Sequence, residues 1–294
     1  MTIYAYQALL NLVLINAGLA LSQYIVLRAG VFSIATVGFA SLGAYSTALM
    51  VMRLDLPASV ALLCATIAGA GIGALLSVPL LRLRGIYAAI ATLSFVQIVA
   101  TLAYYFEDLT GGALGLNNIP KLVGTTELLV VFALAFYLVF AVGRSGAGRA
   151  LDAIRQDEVV AKSLGVSIVR HHVLAFAISG GIATSFGGLI ALHSYAINPH
   201  EFGFHLMVTV LAFVVLGGRV SILGPVVGAA LLTTLPEISR PLGEYRELIN
   251  GALLIVVMVF LPSGLVDSTV HYLRRRSAER ASSKDERADV VTTA

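Results

Sequence analysis

The sequence predicts an all-α polytopic membrane protein with about nine transmembrane helices, N-terminus outside and C-terminus cytoplasmic. Three observations carry this. Of 294 residues, 58% are hydrophobic and only 12% are Asp, Glu, Lys or Arg, with a mean hydropathy of +0.92. An ordinary soluble domain is about a quarter charged, so both a soluble globule and a disordered chain are excluded. Apolar runs of spanning length, roughly 20 residues, recur along the chain. The charges fall between the runs and not well inside them.

The first run, 3–27, has no Lys or Arg before Arg28 and so reads as a retained span and not a signal peptide. It carries the amides Asn11, Asn16 and Gln23. The second, 31–52, is crowded with Gly38, Ser41, Gly43, Ala44 and Ser46, and the third, 56–81, with Gly69, Gly71, Gly73 and Ser77. Cys64, the single cysteine, lies in that third run and is expected to be a small core residue. The fourth run, 85–106, holds Gln97, and the fifth is 128–143. The sixth, 173–192, contains Gly180, Gly181, Gly187 and Gly188. The seventh and eighth, 205–217 and 223–236, are short and parted only by Gly217 to Ser221, which suits broken or re-entrant segments. The ninth is 248–262.

Basic loops stay cytoplasmic. With the N-terminus outside, fifteen Lys and Arg face inward and four, Arg53, Lys121, Arg240 and Arg246, face outward; the sixteen acids divide eight to eight. There is no Trp, so tyrosines such as Tyr4, Tyr104, Tyr105 and Tyr195 are the available interfacial anchors. A membrane domain thus covers 1–272, and the basic, polar tail 273–294 is expected to be disordered.

Small residues in spans let helix backbones approach closely, while uncharged amides avoid lipid. Asn16, Ser33, Gly43 and Gln97 are the candidate lining of a translocation path; helix packing is the other reading of the same residues. The stretch Gly30-Val31-Phe32-Ser33-Ile34 leading to Gly43-Ala44 resembles Gly218-Arg219-Val220-Ser221-Ile222 leading to Gly228-Ala229, which fits a parallel internal repeat.

Chemistry is sparse. No Gly-Lys-Ser or Gly-Lys-Thr phosphate loop exists. His200, Glu201 and His205 fail zinc-protease spacing, because one helical face needs histidines four apart and these are five apart. Catalytic and metal-binding residues are therefore expected to be absent, as is any intramembrane charge of the kind that couples proton or sodium flow.

The one long inner connection, 144–172, is too polar to span and too helix-favouring to be a passive linker. A helix is expected from Arg149 to Leu164, ended by a left-handed cap at Gly165. Ala150, Ile154, Ala161 and Leu164 form an apolar side, interrupted by Asp157, with Arg149, Arg155, Glu158 and Lys162 around it. Such a helix either lies on the membrane surface or enters a groove on a partner.

Gly148-Arg149-Ala150, Ala153-Ile154-Arg155, Asp157-Glu158, Ala161 and Leu164-Gly165 resemble the cytoplasmic loop of permease subunits in bacterial ABC importers of branched-chain amino acids, of the LivM-like type. Arg82-Leu83-Arg84-Gly85-Ile86-Tyr87, Thr110-Gly111-Gly112, Gly217-Gly218, Gly224-Pro225, Pro236-Glu237 and Phe260-Leu261-Pro262-Ser263-Gly264-Leu265 agree in order. The chain departs from the family at His171-His172, where a Tyr-Lys pair is expected, and at Arg219-Val220, which interrupts a Gly-Gly-x-Gly-Ser turn.

The resemblance implies a bacterial inner-membrane permease subunit for branched-chain or similar amino acids, paired with a second, LivH-like permease. It also implies two cytoplasmic ATPases, which hydrolyse ATP so that this chain needs no cofactor, and an extracytoplasmic substrate-binding protein; nucleic acid has no part. The coupling residues would be Arg149, Asp152, Ile154, Arg155, Asp157, Glu158, Ala161, Leu164 and Gly165, with the apolar side in an ATPase groove and Asp152, Arg155, Asp157 and Glu158 pairing at its rim. Segments 107–127 and 193–204 would receive the binding protein. Same-scaffold importers of urea or short amides, or a self-sufficient channel for small neutral solutes, are the alternatives.

Overall fold

The computed structural model describes residues 2–83 and 85–238, with Gly251 and Val266. Among them, eleven α-helices follow in order: α1 Thr2–Arg28, α2 Thr36–Leu54, α3 Ala58–Leu80, α4 Ile86–Tyr105, α5 Glu107–Thr110, α6 Thr125–Arg144, α7 Gly146–Gln156, α8 Glu158–Ser163, α9 Ile168–His193, α10 Phe204–Gly217 and α11 Leu223–Ile238. Six of these, α1, α2, α3, α4, α6 and α9, are long and apolar enough to cross a membrane, and α10 and α11 are shorter apolar helices. Eight of the nine expected spans thus fall on helices; of 248–262 only Gly251 is described, and the tail lies outside the described residues.

Helix α9 is the hub, packed against α1, α2 and α3. Small residues make this possible. Gly187 of α9 sits so close to the Ala40 carbonyl of α2, and Gly43 of α2 so close to the Thr184 carbonyl of α9, that a Cβ on either glycine would overlap backbone. Along α3 the buried positions Ala61, Ala65, Gly69, Gly73 and Ser77 recur every four residues and pack on α9, with Gly73 against the Phe176 carbonyl. This is the small-residue stripe by which membrane helices associate. Polar side chains join the same helices: Ser22 to Ser179 at 2.9 Å and Thr66 to Ser185 at 2.7 Å.

The rest of α3 is turned away from the core. Leu63, Ile67 and Leu75 are exposed, and so is Cys64, contrary to its expected place in the core. A helix that packs only through a four-residue stripe leaves most of its apolar residues for lipid, so hydropathy could not tell the two faces apart.

Other boundaries shift for local reasons. The second span begins at Thr36 because residues 31–34 fall outside any helix after Gly30, whose φ of +82° favours glycine. The fifth begins at Thr125, where the Glu127 carboxylate accepts from the Gly124 N–H at 2.9 Å, half of a capping box. The sixth begins at Ile168, so His171 and His172 lie in the first turns of α9; His172 Nε2 is 3.2 Å from the Ala29 carbonyl.

Candidate coupling site and solute path

The inner loop forms two helices and not the single helix expected from Arg149 to Leu164. The break is at Asp157, whose backbone is extended (φ −156°, ψ 111°) and whose carboxylate accepts from the N–H groups of Val159 at 2.8 Å and Val160 at 3.0 Å. Asp157 thus caps α8, a role worth about 1 kcal/mol. At the other end Gly165 has the expected left-handed backbone, φ +82°, with Gly165 N–H donating to Lys162 and Val166 N–H to Ala161, the paired bonds of a Schellman cap.

The apolar side of the loop does not stay together either. Leu151, Ile154 and Ala161 are buried within the chain. Leu164 is 75% exposed, and beside it Val159 and Val160 are 71% and 52% exposed. Splitting the helix at Asp157 re-aims α8, so the exposed apolar patch is a set the helical period of one continuous helix does not select.

Charge fastens the loop to the spans. Asp152 accepts both arms of the Arg28 guanidinium, Nε at 2.8 Å and Nη2 at 2.7 Å, and Arg28 Nη2 also lies 3.4 Å from the Gly143 carbonyl. Arg155 donates to the Arg219 carbonyl at 3.2 Å, in the turn between α10 and α11. Tyr24 donates to the Val220 carbonyl of that turn at 3.1 Å. A Cβ on Gly30 would lie 3.2 Å from Arg155 Cα, so the α1–α2 turn also abuts α7. Arg149 and Lys162 remain exposed, and Glu158 is half-buried.

The two turns that Arg155 touches are the two stretches of the sequence repeat. Each starts with a glycine at positive φ, Gly30 at +82° and Gly218 at +117°. In each, a serine hydroxyl then accepts from the N–H two residues on: Ser33 from Ala35 at 3.2 Å, Ser221 from Leu223 at 3.4 Å. Sequence reasoning did not find Arg28 or the Arg219 carbonyl as partners of the loop. Arg28 did carry a signal, being the first basic residue and closing the first span.

The four path candidates are not gathered on one wall. Ser33 belongs to a buried cluster in which Gln23 donates to the Ser33 carbonyl and accepts from Thr36 at 2.7 Å. Gly43 is taken up by packing on α9. Gln97 lies on the outward face of α4, where with Ser94, Thr101 and Ile98 it lines a shallow groove of about 390 Å³. Asn16, which donates to Thr233 Oγ1 at 2.9 Å, lines a separate cavity of about 380 Å³ between α1, α9 and α10.

The segments 107–127 and 193–204 meet on the face opposite the inner loop. Leu116 and Ile197 exchange both backbone hydrogen bonds, at 3.0 and 2.9 Å, and Ile119 N–H donates to the Tyr195 carbonyl at 3.0 Å. Gly115, at φ +69°, lies so near the Ile197 carbonyl that no side chain fits. Tyr195 donates to Asn118 Oδ1. Glu201, in the short 3-10 turn Pro199–Phe202, has its carboxyl pushed above the usual range by burial.

Comparison with known proteins agrees with this architecture. The family described as branched-chain amino acid transport system / permease component matches residues 5–260. The high-affinity branched-chain amino acid transport system permease protein LivM of Salmonella typhimurium is 32% identical over 306 residues, covering 92% of this chain and 72% of the relative. LivM of Escherichia coli K12 is 32% identical, covering 92% and 71%. LivH of Salmonella typhimurium is 31% identical over 140 residues, covering 47% of this chain and 45% of that protein. No solved structure matches the chain. A helical membrane subunit with an anchored polar loop, matched over nine-tenths of its length, belongs to the family of branched-chain amino acid transport permease components.

Proposed function

We propose that the chain is the permease subunit of an ATP-driven importer of branched-chain or similar amino acids in the bacterial inner membrane, with the N-terminus outside and the 144–172 loop cytoplasmic. The observation that carries this is the loop itself. It presents an exposed apolar patch of Val159, Val160 and Leu164, edged by Lys162, while Asp152 and Arg155 tie it to α1 and to the α10–α11 turn. A surface helix of a self-sufficient channel would need no such fastening. Here a push on α8 from an ATPase would reach two turns at once.

The second permease would cover α4. Ser94, Gln97 and Thr101 form a polar seam on a face that otherwise exposes Ile90 and Ile98, and amide groups are costly against lipid. A homologous partner, related as LivH is to this chain, would bury that seam. The binding protein would dock on the paired segments around Leu116 and Ile197.

The test is reconstitution in liposomes, with leucine uptake measured for this chain alone and together with its ATPases, second permease and binding protein. ATP-dependent uptake only with the partners is expected. Leucine flux through the chain alone would refute the importer reading.

A further inference from the structure

We infer that the cavity between α1, α9 and α10 is a binding site for the zwitterion of an aliphatic α-amino acid, reached from the face opposite the inner loop. The inference deepens the importer reading and rests on it for the ligand class, though not for the existence of the site.

Burial along α1 describes the shape. Four lining residues, Ala8, Leu12, Ile15 and Leu19, span eleven positions, about 16 Å of helix. Ala8 is exposed, Leu12 is 50% exposed, Ile15 is buried and Leu19 is fully buried, so the cavity deepens into the protein. Its volume, about 380 Å³, falls in the range of small-molecule sites, about 300–1,000 Å³. Wall residues from the other elements, Ile190, Phe202 and Leu206, are apolar.

The polar groups are few and separate by depth. Near the open end, where α9 finishes at His193, lie His193, Ser194 and Glu201. Farther along α1 is Asn16, held by Thr233 of α11. The Glu201 carboxylate, exposed at the open end, suits an ammonium group. His193 Nδ1 is 3.3 Å from the Val123 carbonyl, a contact in which the ring donates, so Nε2 is the nitrogen free to meet the cavity. The Ser194 hydroxyl would donate to the ligand carboxylate, with the His193 ring beside it. The aliphatic side chain would then lie along Leu12, Ile15 and Leu206. Mostly apolar walls with a few convergent polar groups are the ordinary constitution of a small-molecule pocket.

The test uses the full chain in lipid nanodiscs, without ATP or binding protein, and radiolabelled leucine. Isocaproate, which lacks the ammonium, and isopentylamine, which lacks the carboxylate, serve as competitors. Saturable leucine binding is expected, with both competitors at least tenfold weaker. Glu201→Gln should weaken leucine at least tenfold and leave isocaproate unchanged. Leu206→Trp, which fills the shaft, should abolish binding, with correct assembly checked by a monodisperse elution profile. Absence of saturable binding, equal competition by isocaproate, or unchanged affinity in both variants would overturn the site. ATP-driven uptake by the assembled transporter is measured in parallel. Leucine binding without uptake in the wild type would sink the importer reading and leave the site standing; wild-type uptake at unaltered KM in Glu201→Gln would sink the site and leave the importer.

Discussion

Breaking the Arg28–Asp152 pair should uncouple ATP hydrolysis from transport without unfolding the protein. Asp152→Asn keeps the shape and removes the charge. The pair makes two short charge-assisted bonds, 2.7 and 2.8 Å, with the Arg28 and Asp152 side chains 12% and 35% exposed. A fully buried pair loses about 3–5 kcal/mol when one partner goes, and a fully exposed one is worth about 0–1 kcal/mol. This intermediate pair is expected to contribute about 1–2 kcal/mol to fastening the loop. Since about 1.4 kcal/mol is a factor of ten in an equilibrium, the attachment constant should fall roughly tenfold and the detached fraction should rise accordingly. Reconstituted transporter should therefore hydrolyse several-fold more ATP per leucine imported, while yield and thermal midpoint change little. A double-mutant cycle with Arg28→Lys, which keeps charge but loses the fork, isolates the pair from other effects of either change. Normal ATP-to-leucine stoichiometry in Asp152→Asn, or a coupling energy near zero in the cycle, would refute the reasoning.

Other perturbations probe different parts of the molecule. Leu164→Asp and Val159→Asp, at exposed positions, should abolish ATPase co-purification while membrane insertion stays intact; retained co-purification would remove the patch from the interface. Ala161→Asp should act differently, because Ala161 is buried: a charge there is expected to destabilise α8 itself, seen as faster proteolysis of the loop in the absence of partners. Gly187→Val forces a side chain into the Ala40 carbonyl, and overpacking of this kind costs about 1–3 kcal/mol, so the thermal midpoint in detergent should fall by several degrees; an unchanged midpoint would contradict the α2–α9 packing. Glu201 lines the same cavity as His193 and interacts electrostatically with Tyr45 of α2, and its raised pKa means that the folded chain binds the proton more tightly than the unfolded one. Stability should therefore fall as pH rises from the ordinary carboxylate range through the raised value, and Glu201→Gln should flatten that decline in thermal melts.

Helix placement was legible because lipid imposes length and composition on every span, so hydropathy alone located α1 to α4, α6 and α9 to within a few residues. Which face of each helix packs was harder. On α2 and α9 the glycines marked it, since Gly43 and Gly187 are useful only where another backbone comes close. On α3, Cys64 and Gly71 look no different in sequence from Gly69 and Gly73, and only the four-residue spacing separates them. The inner loop shows the other limit. Asp157 stood out as the residue spoiling the apolar side, and aspartate is a good helix N-cap, so the break was readable as a cap followed by β-branched Val159 and Val160. The inward turn of Ile154 and Ala161 was not readable, because periodicity identifies an apolar face without saying what covers it.

The two similar glycine–serine stretches and the 144–172 loop, read separately from sequence, lie in contact. Two turns of similar form, each a glycine at positive φ followed by a serine whose hydroxyl accepts from the N–H two residues on, sit on either side of Arg155: the α1–α2 turn through Gly30 and the α10–α11 turn through the Arg219 carbonyl. Gly30 lies tight against Arg155, where a Cβ would come 3.2 Å from its Cα, and Arg28 two residues earlier holds Asp152 one helical turn before Arg155. Displacing α7 must therefore move both turns together or break the contacts that hold it. The α1–α2 turn leads through α1 to Asn16, and the α10–α11 turn leads through α11 to Thr233, which Asn16 bonds at 2.9 Å. The two helices whose turns contact the loop thus meet again at the cavity some 18 Å farther along α1, by the rise of twelve helical residues. A rigid pair joined at both ends transmits tilt better than it absorbs it, so loop motion should alter the cavity before it alters the outward faces of α3 and α6.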